Sequence, residues 1–181
     1  MALIKYVDDE VYQEALGSPQ VANLLRALFN SPDWAKAFSH LAGVQMSKLA
    51  LPAADREVVL LQTGAIFNAD YVWAQHEGIS EVVGISERQR NAIKIGDYAD
   101  EIFSVRQQTL LKFVRSIADR QDSLGACLAE AKAHFTDQEL VEIIGLHGFA
   151  YTVSSITSVL QIEPDRMSGA ALLRFAGQLA K

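Results

Sequence analysis

Residues 55–85 read DREVVLLQTGAIFNADYVWAQHEGISEVVGI, and this stretch decides the fold. Apolar side chains fill a helical pattern from Val58 to Phe67, the run breaks at Asn68, and a second pattern opens at Asp70, whose carboxylate can cap a helix. Two helices joined by a short turn are predicted. If they fold back as an antiparallel hairpin, Glu57 lies eleven residues before Asn68 and His76 eight after it. At 1.5 Å of rise per residue the offset along the axis is about 5 Å, so the carboxylate and the imidazole can meet. Val72, Trp73, Ile79 and Ser80 lie three or four positions from His76, with Val83 a turn further, so His76 faces an apolar stripe. A Glu and a His sharing such a low-dielectric pocket can exchange a proton, which suits general acid/base work. The same pattern also fits a core histidine with satisfied hydrogen bonds beside a first-turn carboxylate.

Outward from the hairpin the chain continues in helices. Apolar residues recur at three and four in Leu24, Leu25, Leu28; in Trp34, Phe38, Leu41; in Leu110, Phe113, Val114, Ile117; and in Ile143, Leu146, Phe149, Val153, Ile156. The four prolines fall between these runs, Ser18-Pro19 and Ser31-Pro32 read as N-cap plus first helical residue, and Ser86/Gln89 and Thr136/Glu139 have capping-box spacing. Helices are predicted near 20–30, 33–49, 55–67, 70–83, 87–95, 102–121, 123–134, 137–161 and 165–180, and no run of two-residue alternation competes with them. The fold class is all-α, as one domain over residues 1–181. Residues 54–59 (ADREVV) and 136–141 (TDQELV) echo each other at a separation of 82, which suggests an internal duplication, although acidic residues suit any helix start.

Half of the residues are hydrophobic and 21% are charged, so a packed core is available. The net charge of −6 comes without a basic cluster, which argues against nucleic acid and against a polybasic membrane patch. Cys127 is the single cysteine and reads as a small buried hydrophobe; it excludes a disulfide within the chain and suits a reducing compartment. The opening MALIKYVDDE lacks the features of a signal peptide, so the cytoplasm is the expected location. Residues 143–162 hold no Asp, Glu, Lys or Arg, but they include His147, Tyr151 and several hydroxyl residues and have no basic flanks. A buried helix or a subunit interface is expected there, and no membrane span.

The text around the Glu/His pair resembles the carboxymuconolactone decarboxylase and alkylhydroperoxidase D superfamily, whose signature sets a Glu early in one helix and a His nineteen residues later. Glu57 and His76 match it, as do Arg56-Glu57, Tyr71-Val72-Trp73-Ala74-Gln75-His76 and Gly84-Ile85-Ser86. The likeness extends more weakly over about residues 33–163, and pattern and length resemble the longer, two-repeat members. It implies an alkylhydroperoxidase D-like helical bundle and a homo-oligomer, a trimer or a multiple of three. Peroxidase members carry Cys-x-x-Cys ending four residues before the His, where this chain has Ala69 and Val72. Without an attacking and a resolving thiol, thiol peroxidase chemistry is disfavoured.

The decarboxylase branch needs no cysteine, metal or organic cofactor, so the resemblance implies a cofactor-independent lyase acting on a small cyclic or β-oxo carboxylate. His76, oriented by Glu57, is the candidate proton carrier. Tyr71 and Trp73 are candidates for donating a hydrogen bond to the substrate or stacking on it, with Val72 beside them, and Tyr98 lies in a loop resembling one at the family's pocket mouth. Asp97, Asp100 and Glu101 beside it also read as a solvated turn. His147 and Tyr151, four apart, share a helix face and are candidates for the same pocket or for a core or interface role. His40 and His134 have no spacing that suggests a site, and no residue set has metal spacing. The same apparatus could isomerise a substrate, and a member that binds a small molecule without turnover is the remaining alternative.

Overall fold

The computed structural model of the protein describes residues 2–17, 22–99, 101–120 and 123–179. Among these, ten helices follow one another with no strand: α1 (Asp9–Leu16), α2 (Asn23–Leu28), α3 (Pro32–Ser47), α4 (Ala53–Ile66), α5 (Asp70–Val82), α6 (Glu87–Ile95), α7 (Val105–Asp119), α8 (Leu124–Ala131), α9 (Asp137–Val159) and α10 (Gly169–Leu179). The all-α expectation is met. Differences lie at the ends of the chain and at helix starts. The short α1 was not expected; it is only 8 residues long, and tertiary packing holds it by a fully buried Tyr12. The last helix begins at Gly169, because residues 162–168 are spent on irregular chain that bonds to the N-terminal region.

Capping chemistry explains the sharpest boundaries. Ser86/Gln89 and Thr136/Glu139 form complete capping boxes, and so does Ser104/Gln107, which starts α7 at Val105 rather than at 102. Ser31 and Pro32 open α3 as expected, yet the Ser31 side chain makes no cap bond. Asp70 is the first helical residue of α5 rather than its cap; Ala69 holds the cap position. The Ser18-Pro19 pair lies outside the described residues. Between α4 and α5 the chain turns at Asn68, whose φ of 49° is left-handed and suits an Asn.

Two apolar clusters make the core. Val58 and Leu61 of α4, Leu110 and Phe113 of α7, and Ile143 and Leu146 of α9 belong to one; Leu25, Phe38, Tyr71, Val72, Val153 and Phe175 belong to the other. The helix pair α4/α5 lies between them and packs closely at Gly64, where a Cβ would sit 3.2 Å from Val72 Cγ1. Arg106 of α7 ties the starts of the two echo segments together: its Nε donates to Asp55 at 2.8 Å and its Nη2 to Glu139 at 2.7 Å. The echo helices α4 and α9 pack against each other, and so do α5 and α10, which follow them. By length and composition α9 could cross a membrane, but Leu140, Ile143, Leu146, Ala150 and Val153 on one face are buried inside the molecule.

Candidate functional site

Glu57, in the second turn of α4, is fully buried, and His76 of α5 reaches it across the hairpin with Nδ1 2.8 Å from Oε2. The other carboxylate oxygen accepts from Arg56 Nε at 3.3 Å, while Arg56 Nη1 donates to the Met46 carbonyl at 2.9 Å. Glu57 therefore has both oxygens engaged and a cation beside it, which is what a buried carboxylate needs in order to remain there. Facing a carboxylate, Nδ1 of His76 donates, and that fixes the tautomer. Nε2 is then the ring atom available to a ligand.

His76 lines a partly open cavity of about 160 Å³ walled by α2, α3, α5, α9 and α10, with Leu60 of α4. Its walls are mainly apolar, and Phe38 and Phe149 stack on one side with centroids 4.3 Å apart. The polar groups in the lining are few: Ser39, Gln45, Tyr71, Gln75, His76 and Asp165, with no Lys or Arg among the described lining residues. Tyr71 donates its hydroxyl to Asp165 Oδ2 at 2.6 Å, and Asp165 Oδ1 accepts from the Asn23 backbone at 2.8 Å. Burial, then the Asp165 carboxylate, holds the Tyr71 hydroxyl well above its ordinary value. Burial also pushes Asp165 up, against the hydrogen bonds from Tyr71 and Asn23.

Of the residues the sequence singles out, the structure gathers Glu57, His76, Tyr71 and Val72 at this cavity, Glu57 from behind His76. It sets Trp73, His147, Tyr151 and Tyr98 away from the lining. Trp73 packs on the first core cluster, with Lys94 Nζ 5.1 Å from its ring centroid. Tyr98 packs on the same cluster, near Arg115. Asp100 beside it lies outside the described residues. His147 and Tyr151 do share a face of α9, but it is turned to Phe67, whose ring lies 6.0 and 4.7 Å from theirs. Thr63 spends its hydroxyl proton on the Val59 carbonyl, so His147 Nδ1 donates to Thr63 Oγ1 at 3.0 Å. Burial lowers the His147 imidazole below its usual range, in keeping with a neutral core histidine.

Sequence reasoning missed Ser39, Gln45, Gln75 and Asp165. Gln75 was within reach, because Tyr71, Gln75 and Ile79 share one face of α5 at four-residue spacing. Asp165 was not, since only folding brings the segment after α9 back to α5. Among the described residues no three His, Cys, Asp or Glu side chains gather in a metal-like group. Cys127 sits on α8, partly buried against the first core cluster.

No protein-family model matches the sequence, and no curated protein does. Solved structures do match. The alkylhydroperoxidase AhpD core of an uncharacterized peroxidase-related protein from Ralstonia eutropha JMP134 superposes with a TM-score of 0.74 at 15% identity, covering 97% of this chain and 96% of that one. The fold is AhpD-like. An uncharacterized peroxidase-related protein from Silicibacter sp. TM1040 gives 0.70 at 19% identity over 94% and 86% of the two chains. A protein of unknown function from Agrobacterium tumefaciens gives 0.69 at 20% identity over 77% and 96%. On this AhpD-like frame the positions Ala69 and Val72 carry no thiol; both are buried in the second core cluster.

Proposed function

We propose that this AhpD-like protein is a cofactor-independent enzyme that moves a proton to or from carbon in a small carbonyl compound. The observation that carries the reading is the 2.8 Å contact between a fully buried Glu57 and a His76 that lines an apolar cavity. Glu57 holds the tautomer and orientation of the ring, and His76 Nε2 carries the proton. In the lyase form, a carboxylate β or vinylogous to a carbonyl loses CO2, the bonding electrons pass to the carbonyl oxygen as an enolate, and a His76 imidazolium, which has taken a proton on Nε2 from solvent, gives that proton to carbon and returns to the neutral Nδ1–H ring held by Glu57. The sequence resemblance favours that form, on a small cyclic or β-oxo carboxylate. The second form, isomerisation through removal and return of an α-proton, is favoured by the lack of Lys or Arg among the described lining residues, since a carboxylate finds no cation there. The reading includes a cytoplasmic home and a homo-oligomer, a trimer or multiple of three, joined through the outer face of α9, where Val141, Ile144, Tyr151 and Val159 are exposed.

The test follows CO2 release and product mass from a panel of β-oxo, lactone and aromatic carboxylates, and deuterium uptake α to the carbonyl of small cyclic ketones. Wild type is run beside His76→Ala. Removing a general acid/base costs roughly 10² to 10⁴ in rate, so the variant should lose nearly all turnover. Silence of the wild type on both assays, or equal rates in the variant, would leave a small-molecule-binding oligomer instead.

A further inference from the structure

Three oxygens in the cavity wall have no partner within the protein: Ser39 Oγ, Gln45 Oε1 and Gln75 Oε1. Their residues are only 1%, 7% and 7% exposed. Burying such an acceptor without a donor costs about 1–3 kcal/mol, so three of them on residues that line one small apolar cavity call for an explanation. Amide reversal does not remove the problem at Gln75, because its Nε2 is already committed to the Asp165 carbonyl at 3.3 Å, which leaves Oε1 as the free end. The unpartnered Gln62 Oε1, by contrast, belongs to α4 and does not line the cavity.

We infer that the cavity selects a neutral, single-ring ligand bearing O–H or N–H donors, with Gln45, Gln75 and Ser39 as its specificity-determining residues. The volume of about 160 Å³ is close to that of an engineered cavity of roughly 150 Å³ that takes benzene. The Phe38/Phe149 wall suits a flat ring. Charge points the same way. The lining contributes Asp165 and acceptor oxygens, and the Tyr71 hydroxyl, which could have served an anion, is spent on Asp165. This deepens the proton-transfer reading and rests on it only in taking the cavity beside His76 as the substrate site: the donor groups of the ligand dock on the amide oxygens and fix which carbon faces Nε2.

The experiment measures binding of phenol, toluene and benzoate by calorimetry to wild type, Gln45→Leu, Gln75→Leu and Ser39→Ala. Phenol and toluene have nearly the same shape, so their affinity ratio reports the donor. Phenol has one donor, so the Gln→Leu change at the amide oxygen it meets should move that ratio toward toluene by about tenfold, the worth of one satisfied buried acceptor, and the other Gln→Leu change and Ser39→Ala should move it less. Benzoate should bind wild type more weakly than phenol. Gln45→Leu keeps the assay decisive if Gln75→Leu loosens the Asp165 segment. An unchanged ratio in both Gln variants, or benzoate as the tightest ligand, overturns the inference. Silence of the wild type in the proton-exchange assay, with the ratio shifts of the Gln variants intact, counts against the catalytic reading alone.

Discussion

At the residue scale, Glu57 and His76 differ in what they owe to the fold. Glu57 is enclosed with a cation and an imidazole on its two oxygens, whereas His76 is partly open to the cavity. Glu57→Ala leaves Arg56 buried without its carboxylate, and breaking a buried pair this way costs about 3–5 kcal/mol. For a chain of this size each kcal/mol lowers Tm by about 2–4 °C, so a calorimetric drop near 10 °C is expected, with a much smaller one for His76→Ala. His147 gives a pH prediction. Its imidazole lies below the ordinary 6.5 because it is buried, so as pH falls the unfolded chain takes up a proton first. The stability tied to neutral His147 is complete above about 6.5 and is lost as pH falls through the folded value. His147→Gln should flatten the fall of Tm between about pH 7 and pH 5; an identical slope in both proteins would remove the role.

Elements are decided by their ends and by their closest approaches. Thr136 accepts from the Glu139 backbone within its capping box, while Ser31 holds the same position without a side-chain bond. Thr136→Ala should therefore cost about 1 kcal/mol and Ser31→Ala only a few tenths, as read from urea midpoints. The crossing of α5 and α10 depends on two glycines: a Cβ at Gly169 would overlap the Gly78 carbonyl. Gly169→Ala should lower stability by about 1–3 kcal/mol and loosen the α10 wall of the cavity. At Gly125 of α8 a Cβ meets nothing within 4 Å. Gly125→Ala is thus the matched control, expected to stabilise by about 0.5–1 kcal/mol through helix propensity. Equal Tm shifts in the two variants would contradict this account of the crossing.

For the whole molecule, the open question of association falls on α9, whose inner face fills the core while Val141, Ile144, Tyr151 and Val159 face outward. Light scattering should give a trimer or a multiple of three for wild type, and Val141→Lys with Val159→Lys should lower the mass; an unchanged mass would place the interface elsewhere. The sequence alone determined the helical class and the Glu57/His76 meeting. Periodicity, caps and the Asn68 turn are local, and a hairpin of fixed rise leaves the two side chains one arrangement. It also determined the absence of thiols at Ala69 and Val72, which is a matter of residue identity. Only the tertiary structure decided which side chains surround His76. Tyr98, His147 and Tyr151 lie in plausible places along the chain, yet their helices and loops turn them to Arg115 and Phe67. Ser39, Gln45 and Asp165 come from segments far from α5 in sequence, and packing of α3 and α10 against it makes them a wall. Local rules fix a helix and the face on which a residue lies; what that face meets is set by long-range packing, which no short-range spacing encodes.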